Sequence, residues 1–344
     1  MKHKILVLAI FILLVSIVTI ASALTWMLGN SQPVAIPTAQ VAGWRVVNYG
    51  SLENSWQHTQ NDPAYWIYVA KAMQAKFPGS APGGVYGIGH IETNGRTYMP
   101  FKAPTGSGMA YVDFQTNEVI GDSHDYTDED LAAFDNASMK ILLQVEPGSA
   151  DVSKLATMIL TKYRSHPSVV GFAVDLEWYK NNVCSDGCVL TTVELNKWIS
   201  AVKAVNPNYL ISVKHFDSAH ISGTVPGVIY NTDTCCFNTF NEAINDYVAW
   251  YNRFPNNPLI YQIGYNLAAG SGISCVGCGD AKWWVPLSDP PVDIMNAIKS
   301  KAPDANIYAV YWVDFSVQKI FPVGGIAPTP TATSTPKTRR YSRN

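Results

Sequence analysis

Between residues 41 and 323 the apolar positions of the chain follow two alternating patterns. Short runs rich in Val, Ile, Tyr and Trp fit buried strands, and the stretches between them, with apolar residues recurring every three or four positions, fit amphipathic helices. Eight strands are predicted, at 44–49, 84–90, 141–146, 169–177, 210–216, 228–233, 259–264 and 307–314. The clearest helices are predicted at 64–77, 152–164, 192–205, 242–253 and 292–301, several opened by Asp or Ser and closed near Pro. The link from the fifth to the sixth strand is short for a helical crossover. Residues 93–115 read as an insertion after the second strand, with 106–115 resembling a β-ribbon. Strands alternating with helices argue for a parallel sheet, and eight such units predict a single-domain (β/α)8, or TIM, barrel over 41–323. A doubly wound open sheet is the alternative.

The two ends depart from this pattern. Met1-Lys2-His3-Lys4 is basic and precedes an apolar run over 5–20, the order of parts in a secretory signal. Ala21-Ser22-Ala23 offers a cleavage site, while Leu24-Thr25-Trp26-Met27-Leu28 extends the apolar run to a length that spans a bilayer uncut. Residues 1–29 are therefore expected to be a signal peptide or a membrane anchor, and the body is expected to be secreted or held on the outer face of the cytoplasmic membrane. Residues 324–344 read as an extended tail: 327–336 contain only Ala, Pro, Thr and Ser, and a basic stretch follows. Asn136-Ala137-Ser138 is a glycosylation sequon in the exported body.

Composition narrows the function classes. Apolar residues at 47% suffice for a large core, and 12% aromatic residues leave rings for a surface cleft. A net charge of −2, with no basic cluster before the tail, provides no footprint for a phosphate backbone, so nucleic acid is not an expected partner. His90, Glu92, His215 and Asp217 lack dedicated ligand spacing, and neither a metal nor a cofactor is called for.

The chemistry is concentrated in Val169-Val170-Gly171-Phe172-Ala173-Val174-Asp175-Leu176-Glu177-Trp178. Strand alternation puts Phe172, Val174 and Leu176 on the helix-facing side and Ala173, Asp175 and Glu177 on the inner one, at the strand end where barrels keep their active sites. Two carboxylates so close disfavour double ionisation, so one is expected to keep a proton while the other stays anionic. Glycosidic cleavage needs that division between an acid for the leaving oxygen and an anion facing the sugar cation. Glu146 and Gln144 share the inner face of the third strand, and Glu146 is a candidate second carboxylate. Lys214, Asn231, Asp233 and Gln262 are further candidates at the ends of later strands. Their alternative role is an ion-pair network supporting the barrel mouth, with Lys214 as cation.

Gly171, Asp175 and Glu177 resemble the end of the DGxDxDxE signature of glycoside hydrolase family 18, the chitinase-like barrels. That resemblance implies that Glu177 is the general acid and that Asp175 steers a substrate N-acetyl group acting as internal nucleophile. Tyr230-Asn231 is similar to the family's Tyr-Asp/Asn pair near the reacting sugar, and Trp312 to the tryptophan flooring its −1 subsite. Val170 and Ala173 stand where the signature has aspartates, and Leu143-Gln144-Val145-Glu146-Pro147 replaces the family's Ser-x-Gly-Gly. Family 25 lysozymes also carry an Asp-x-Glu pair on a barrel strand.

Trp178, Tyr265, Trp283, Trp284 and Trp312 fall at or just after predicted strand ends and are candidates for stacking on sugar rings, with Trp283-Trp284 the foremost platform. The cysteines form three close pairs, 184/188, 235/236 and 275/278, each expected to staple a loop in an oxidising compartment. Together these readings predict an extracytoplasmic glycosidase acting on a polysaccharide. The alternative is a barrel that binds glycans or serves the cell envelope without catalysis.

Overall fold

The computed structural model describes residues 39–47, 62–106, 108–115, 125–233, 237–265, 283–314 and 316–322. The proposed N-terminal signal or anchor, the C-terminal tail and Cys235, Cys236, Cys275 and Cys278 lie outside them. No helix among the described residues is long and apolar enough to cross a membrane.

The strands are β1 (Val41–Val47), β2 (Ala81–Ile91), β3 (Thr97–Met99), β4 (Val112–Phe114), β5 (Lys140–Val145), β6 (Val169–Asp175), β7 (Leu210–His215), β8 (Ile229–Thr232), β9 (Leu259–Ile263) and β10 (Ile307–Val313). Eight of them run in the order β1-β10-β9-β8-β7-β6-β5-β2, and β2 pairs back onto β1, so the sheet closes. Every pairing around the ring is parallel. The chain is a (β/α)8 barrel, and the open-sheet alternative falls because no barrel strand is left as an edge.

The helices are α1 (Pro63–Lys76), α2 (Tyr126–Asn136), α3 (Val152–Lys162), α4 (Thr192–Val205), α5 (Phe240–Arg253), α6 (Pro290–Lys301) and α7 (Val317–Ile320). Their starts follow local chemistry. Asp62, Asp125 and Asp151 cap α1, α2 and α3 by accepting from backbone N–H groups, while Thr191 with Glu194 and Thr239 with Glu242 form capping boxes at α4 and α5. Helix α2 is not among the stretches predicted above. Its apolar stripe is short, and its acidic first turn, Asp128 and Glu129, suits a helix N-terminus better than it shows a periodicity.

Two links depart from the regular strand–helix alternation. Between β7 and β8 the chain makes only the 3-10 turn Ser218–His220 and a bridge of Ile221 to Leu190, so that crossover has no α-helix. The insertion after β2 is a sheet extension in which β3 pairs antiparallel with β2 and β4 runs parallel to β3.

The core has two layers. Trp44, Tyr86, Phe172, Tyr230, Trp312 and their neighbours fill the space between sheet and helices. Val41, Val85, Leu142, Ala173, Ile229, Ile260 and Tyr311 plug the barrel interior. Gly43 marks a tight point in the wall, because a Cβ there would overlap the Gly83 carbonyl on β2. Gly43→Ala is expected to destabilise the protein by about 1–3 kcal/mol, read as a lower urea midpoint. An unchanged midpoint would mean that the β1–β2 contact is looser than described.

Candidate active site

Stepping two residues along each strand from the interior plug leads to the polar end of the barrel. Leu142 leads to Gln144, Ala173 to Asp175, Ile229 to Asn231 and Ile260 to Gln262. Arg45 on β1 and Lys214 on β7 occupy the same level, and these side chains are all buried.

Lys214 is the hub. Its ammonium donates to Asp175 Oδ2 at 2.8 Å and to Glu177 Oε1 at 2.5 Å, and it also pairs with Asp233. An ammonium has three N–H donors, and here each meets a carboxylate. Burial alone would favour loss of the Lys214 proton. The charges of Asp175, Asp233 and Glu177 together reverse that and raise its pKa well above the ordinary lysine value.

The carboxyls differ in access and in proton affinity. Asp175 is fully buried: Gln144 Nε2 lies 3.5 Å and Arg45 Nη2 3.6 Å from its Oδ2, and its Oδ1 accepts the Glu177 N–H at 3.3 Å. Burial raises its pKa, opposed by Lys214. Glu177 keeps 25% of its side chain exposed. Burial and then the charge of Asp233 push its pKa up to about 7, against the pull of Lys214. Glu146 is sealed, with Oε2 accepting the Ile91 N–H at 2.9 Å; burial and the charge of Asp175 raise its pKa well above the usual carboxylate range.

The Asp-x-Glu segment is not a continuous strand. β6 ends at Asp175, and Leu176–Trp178 is a 3-10 turn, capped when the Asp175 carboxylate takes the Glu177 N–H. A short acidic side chain competes here with the sheet ladder for a backbone donor and wins. The two carboxyls share Lys214 as a common donor; the charge of Glu177 still contributes to the raised Asp175 pKa, after burial, while for Glu177 burial and then Asp233 lead.

Several predicted contacts are elsewhere. Tyr230 is stacked on Phe254 at 4.0 Å in the helix-facing core, with its hydroxyl accepting the Val225 N–H at 2.8 Å. Trp312 is fully buried in the same layer, edge-on to Trp284 at 5.1 Å, its indole N–H donating to Ser316 at 3.0 Å. Trp284 donates to the Tyr265 carbonyl, and Trp283 packs edge-on to Phe237, so neither is an exposed platform. Tyr265 is buried too, its hydroxyl 2.8 Å from Gln262 Oε1 and 3.3 Å from Asp233 Oδ2, which makes it part of the polar network rather than a stacking face. Trp178, in the Glu177 turn, is partly exposed.

Arg45 and Asp314 were not among the predicted residues. Arg45 bridges Asp175 and Asp314, 3.6 and 3.7 Å away, and Asp314 accepts the Val47 N–H at 3.0 Å. A lone Arg in the apolar run Trp44-Arg45-Val46-Val47, opposite in pleat to Trp44, is the signal that identifies it. Among the described residues no cluster of three His, Cys, Asp or Glu is placed to hold a metal ion: His90 pairs with Glu92, and both His215 ring nitrogens are bonded to backbone.

Among the described residues, Asn231 Nδ2 and Oδ1, Gln262 Nε2 and Gln144 Oε1 are buried without a hydrogen-bond partner. Leaving such groups unsatisfied costs about 1–3 kcal/mol each, so this level of the barrel is an energetically expensive one.

No family model and no curated protein matches the chain. Solved structures do resemble it. A GH113 β-1,4-mannanase matches at TM-score 0.42 and 10% identity, covering 81% of this chain and 89% of that one. A GH18 chitinase from Pseudoalteromonas aurantia matches at 0.39 and 9%, covering 80% and 94%, and the endoglucanase Cel5A of Pseudomonas stutzeri at 0.43 and 8%, covering 82% and 88%. These similar structures are glycoside hydrolases of several families, with GH18 not singled out, and the resemblance is too distant to carry their chemistry across.

Proposed function

We propose that the protein is an extracytoplasmic glycoside hydrolase that cleaves a polysaccharide, with Glu177 as the general acid. One observation carries this reading: at the C-terminal mouth of the barrel stands a partly exposed carboxyl whose pKa is about 7, beside a fixed ammonium and a second carboxylate. A group titrating near the working pH is the best proton donor there, and barrel active sites sit at that end. Glu177 donates its proton to the glycosidic oxygen as the bond to the leaving sugar breaks. Asp233, next to it, supplies negative charge toward the developing sugar cation, and a water molecule then forms the new C–O bond and gives up a proton that restores the acid form of Glu177. Asp175 is sealed from any sugar and acts by positioning, holding Lys214 and capping the Glu177 turn. Trp178 offers a partly exposed ring beside Glu177, while Asn231, Gln262 and Gln144 lie as deep as Asp175 and line the floor beneath the mouth.

The second reading, a glycan-binding barrel without turnover, is favoured by the ion pairs that engage every carboxylate around Lys214 and by the burial of Tyr230 and Trp312.

A pH series separates the two. The acid form of Glu177 dominates below about 7, so hydrolysis of a responsive glycan is expected to hold from weakly acidic pH to about 6 and to fall tenfold per unit above about 7. Because the folded pKa is raised above the ordinary 4.5, this group's contribution to stability is full below about 4.5 and is lost as pH rises to about 7. Hydrolysis undiminished at pH 9 would remove Glu177 as acid, and binding without hydrolysis at any pH would favour the second reading.

A further inference from the structure

The segment after the Glu177 turn is closed by the Cys184–Cys188 disulfide. Two consecutive residues inside that ring meet the backbone beside Glu177 and the residue next to Lys214. Gly187, at φ +79°, lies flat on the turn: a Cβ there would overlap the Leu176 carbonyl oxygen and crowd the carbonyl carbon of Glu177. Asp186 presents its carbonyl to His215, whose Nε2–H donates to it at 2.8 Å, and His215 directly follows Lys214 on β7. His215 Nδ1 accepts the Asp217 N–H at 2.8 Å, which fixes the ring and its tautomer. The ring is itself tied down at both ends, since Cys188 N–H donates to the Tyr179 carbonyl at 2.7 Å and Cys184 N–H to the Lys180 carbonyl at 3.1 Å.

We infer that the disulfide-closed loop is a positioning device: Gly187 seats the Glu177 turn and Asp186 seats the end of β7, so that one rigid ring sets the placement of Glu177 against Lys214. Only glycine allows the first contact, through both its positive φ and its lack of a Cβ. This inference rests on the proposed role of Glu177 for its functional meaning, but not for its test.

Glu177 is faced by Lys214 on β7, Asp233 beyond β8 and Asp175 at the end of β6, with His215 and Tyr265 within electrostatic reach. Loosening the ring admits water to a carboxyl whose raised pKa comes first from burial. The test is an NMR titration of the Glu177 carboxyl in the full-length protein labelled with 13C-glutamate, the signal being assigned by its loss in Glu177→Gln. Gly187→Ala and the double variant Cys184→Ser/Cys188→Ser are each expected to move the midpoint by about one unit toward the ordinary glutamate range. Gly79→Ala is the strain-matched control, at φ +90° with nothing within 4 Å of the new methyl, and should leave the midpoint in place. Unmoved midpoints in the loop variants, or an equal movement in the control, would overturn the inference. If Gly187→Ala does not fold, the cysteine variant decides alone. No substrate enters the titration, so the loop's role is decided whether or not the protein hydrolyses glycans.

Discussion

Glu177→Gln is expected to reduce hydrolysis by about 10²–10⁴-fold while leaving the fold and glycan binding intact. The amide keeps nearly the shape of the carboxylic acid, and its oxygen still accepts from Lys214, but it has no proton to give to a leaving oxygen. Because Glu177 is partly exposed and its partners Asp175 and Asp233 remain to neutralise Lys214, the substitution strands no buried charge. Circular dichroism and the urea midpoint should therefore stay near wild type while product formation collapses. A variant that keeps wild-type rates would show that another group, or none, acts as acid.

Lys214→Met carries the largest expected effect on stability. The lysine is 2% exposed and Asp175 1% exposed, so removing the ammonium leaves Asp175 and Asp233 buried around an apolar thioether. Breaking a buried ion pair from one side costs about 3–5 kcal/mol, because the remaining partner keeps its desolvation penalty. Arg45, 3.6 Å from Asp175, compensates in part. The pH dependence has a definite sign: without the cation the carboxyls gain proton affinity, so the deficit should shrink as pH falls and they become neutral. Urea unfolding at pH 5 and pH 8 measures it. A deficit of the same size at both would place the loss in packing rather than in charge.

The barrel was legible because its signals are local. Eight apolar runs with helical spacers require neighbours on both faces, and the closed parallel ring supplies them. The β7–β8 link was short in sequence and indeed has no α-helix, whereas α2 was obscured by its acidic first turn. In the candidate site, strand alternation put Gln144 and Asp175 on the inner face, where both lie buried, whereas Glu177 reaches the site from a turn and not from the strand. Alternation allows only one of the neighbours Tyr230 and Asn231, and one of Tyr311 and Trp312, on the inner face, and the closed barrel puts Asn231 and Tyr311 there with Tyr230 and Trp312 toward the helices. What no local pattern holds is convergence: that Lys214 on β7 gathers Asp175 and Glu177 from the end of β6 and Asp233 from the end of β8 depends on the neighbouring strands of the ring. The turn at Glu177 lay between these cases, since Asp-x-Glu fits both a strand end and a side-chain-capped turn, and Gly187 against the Leu176 carbonyl belongs only to the turn.

The most direct test of the central claim is to incubate the purified protein at about pH 6 with a panel of soluble and insoluble glycans, mannans, β-glucans and N-acetylglucosamine polymers among them, and to measure new reducing ends alongside binding. A glycan that is cleaved by the wild type, and bound but not cleaved by Glu177→Gln, is the predicted result. Binding with no new reducing ends from the wild type on any member of the panel would contradict it and leave a glycan-binding barrel.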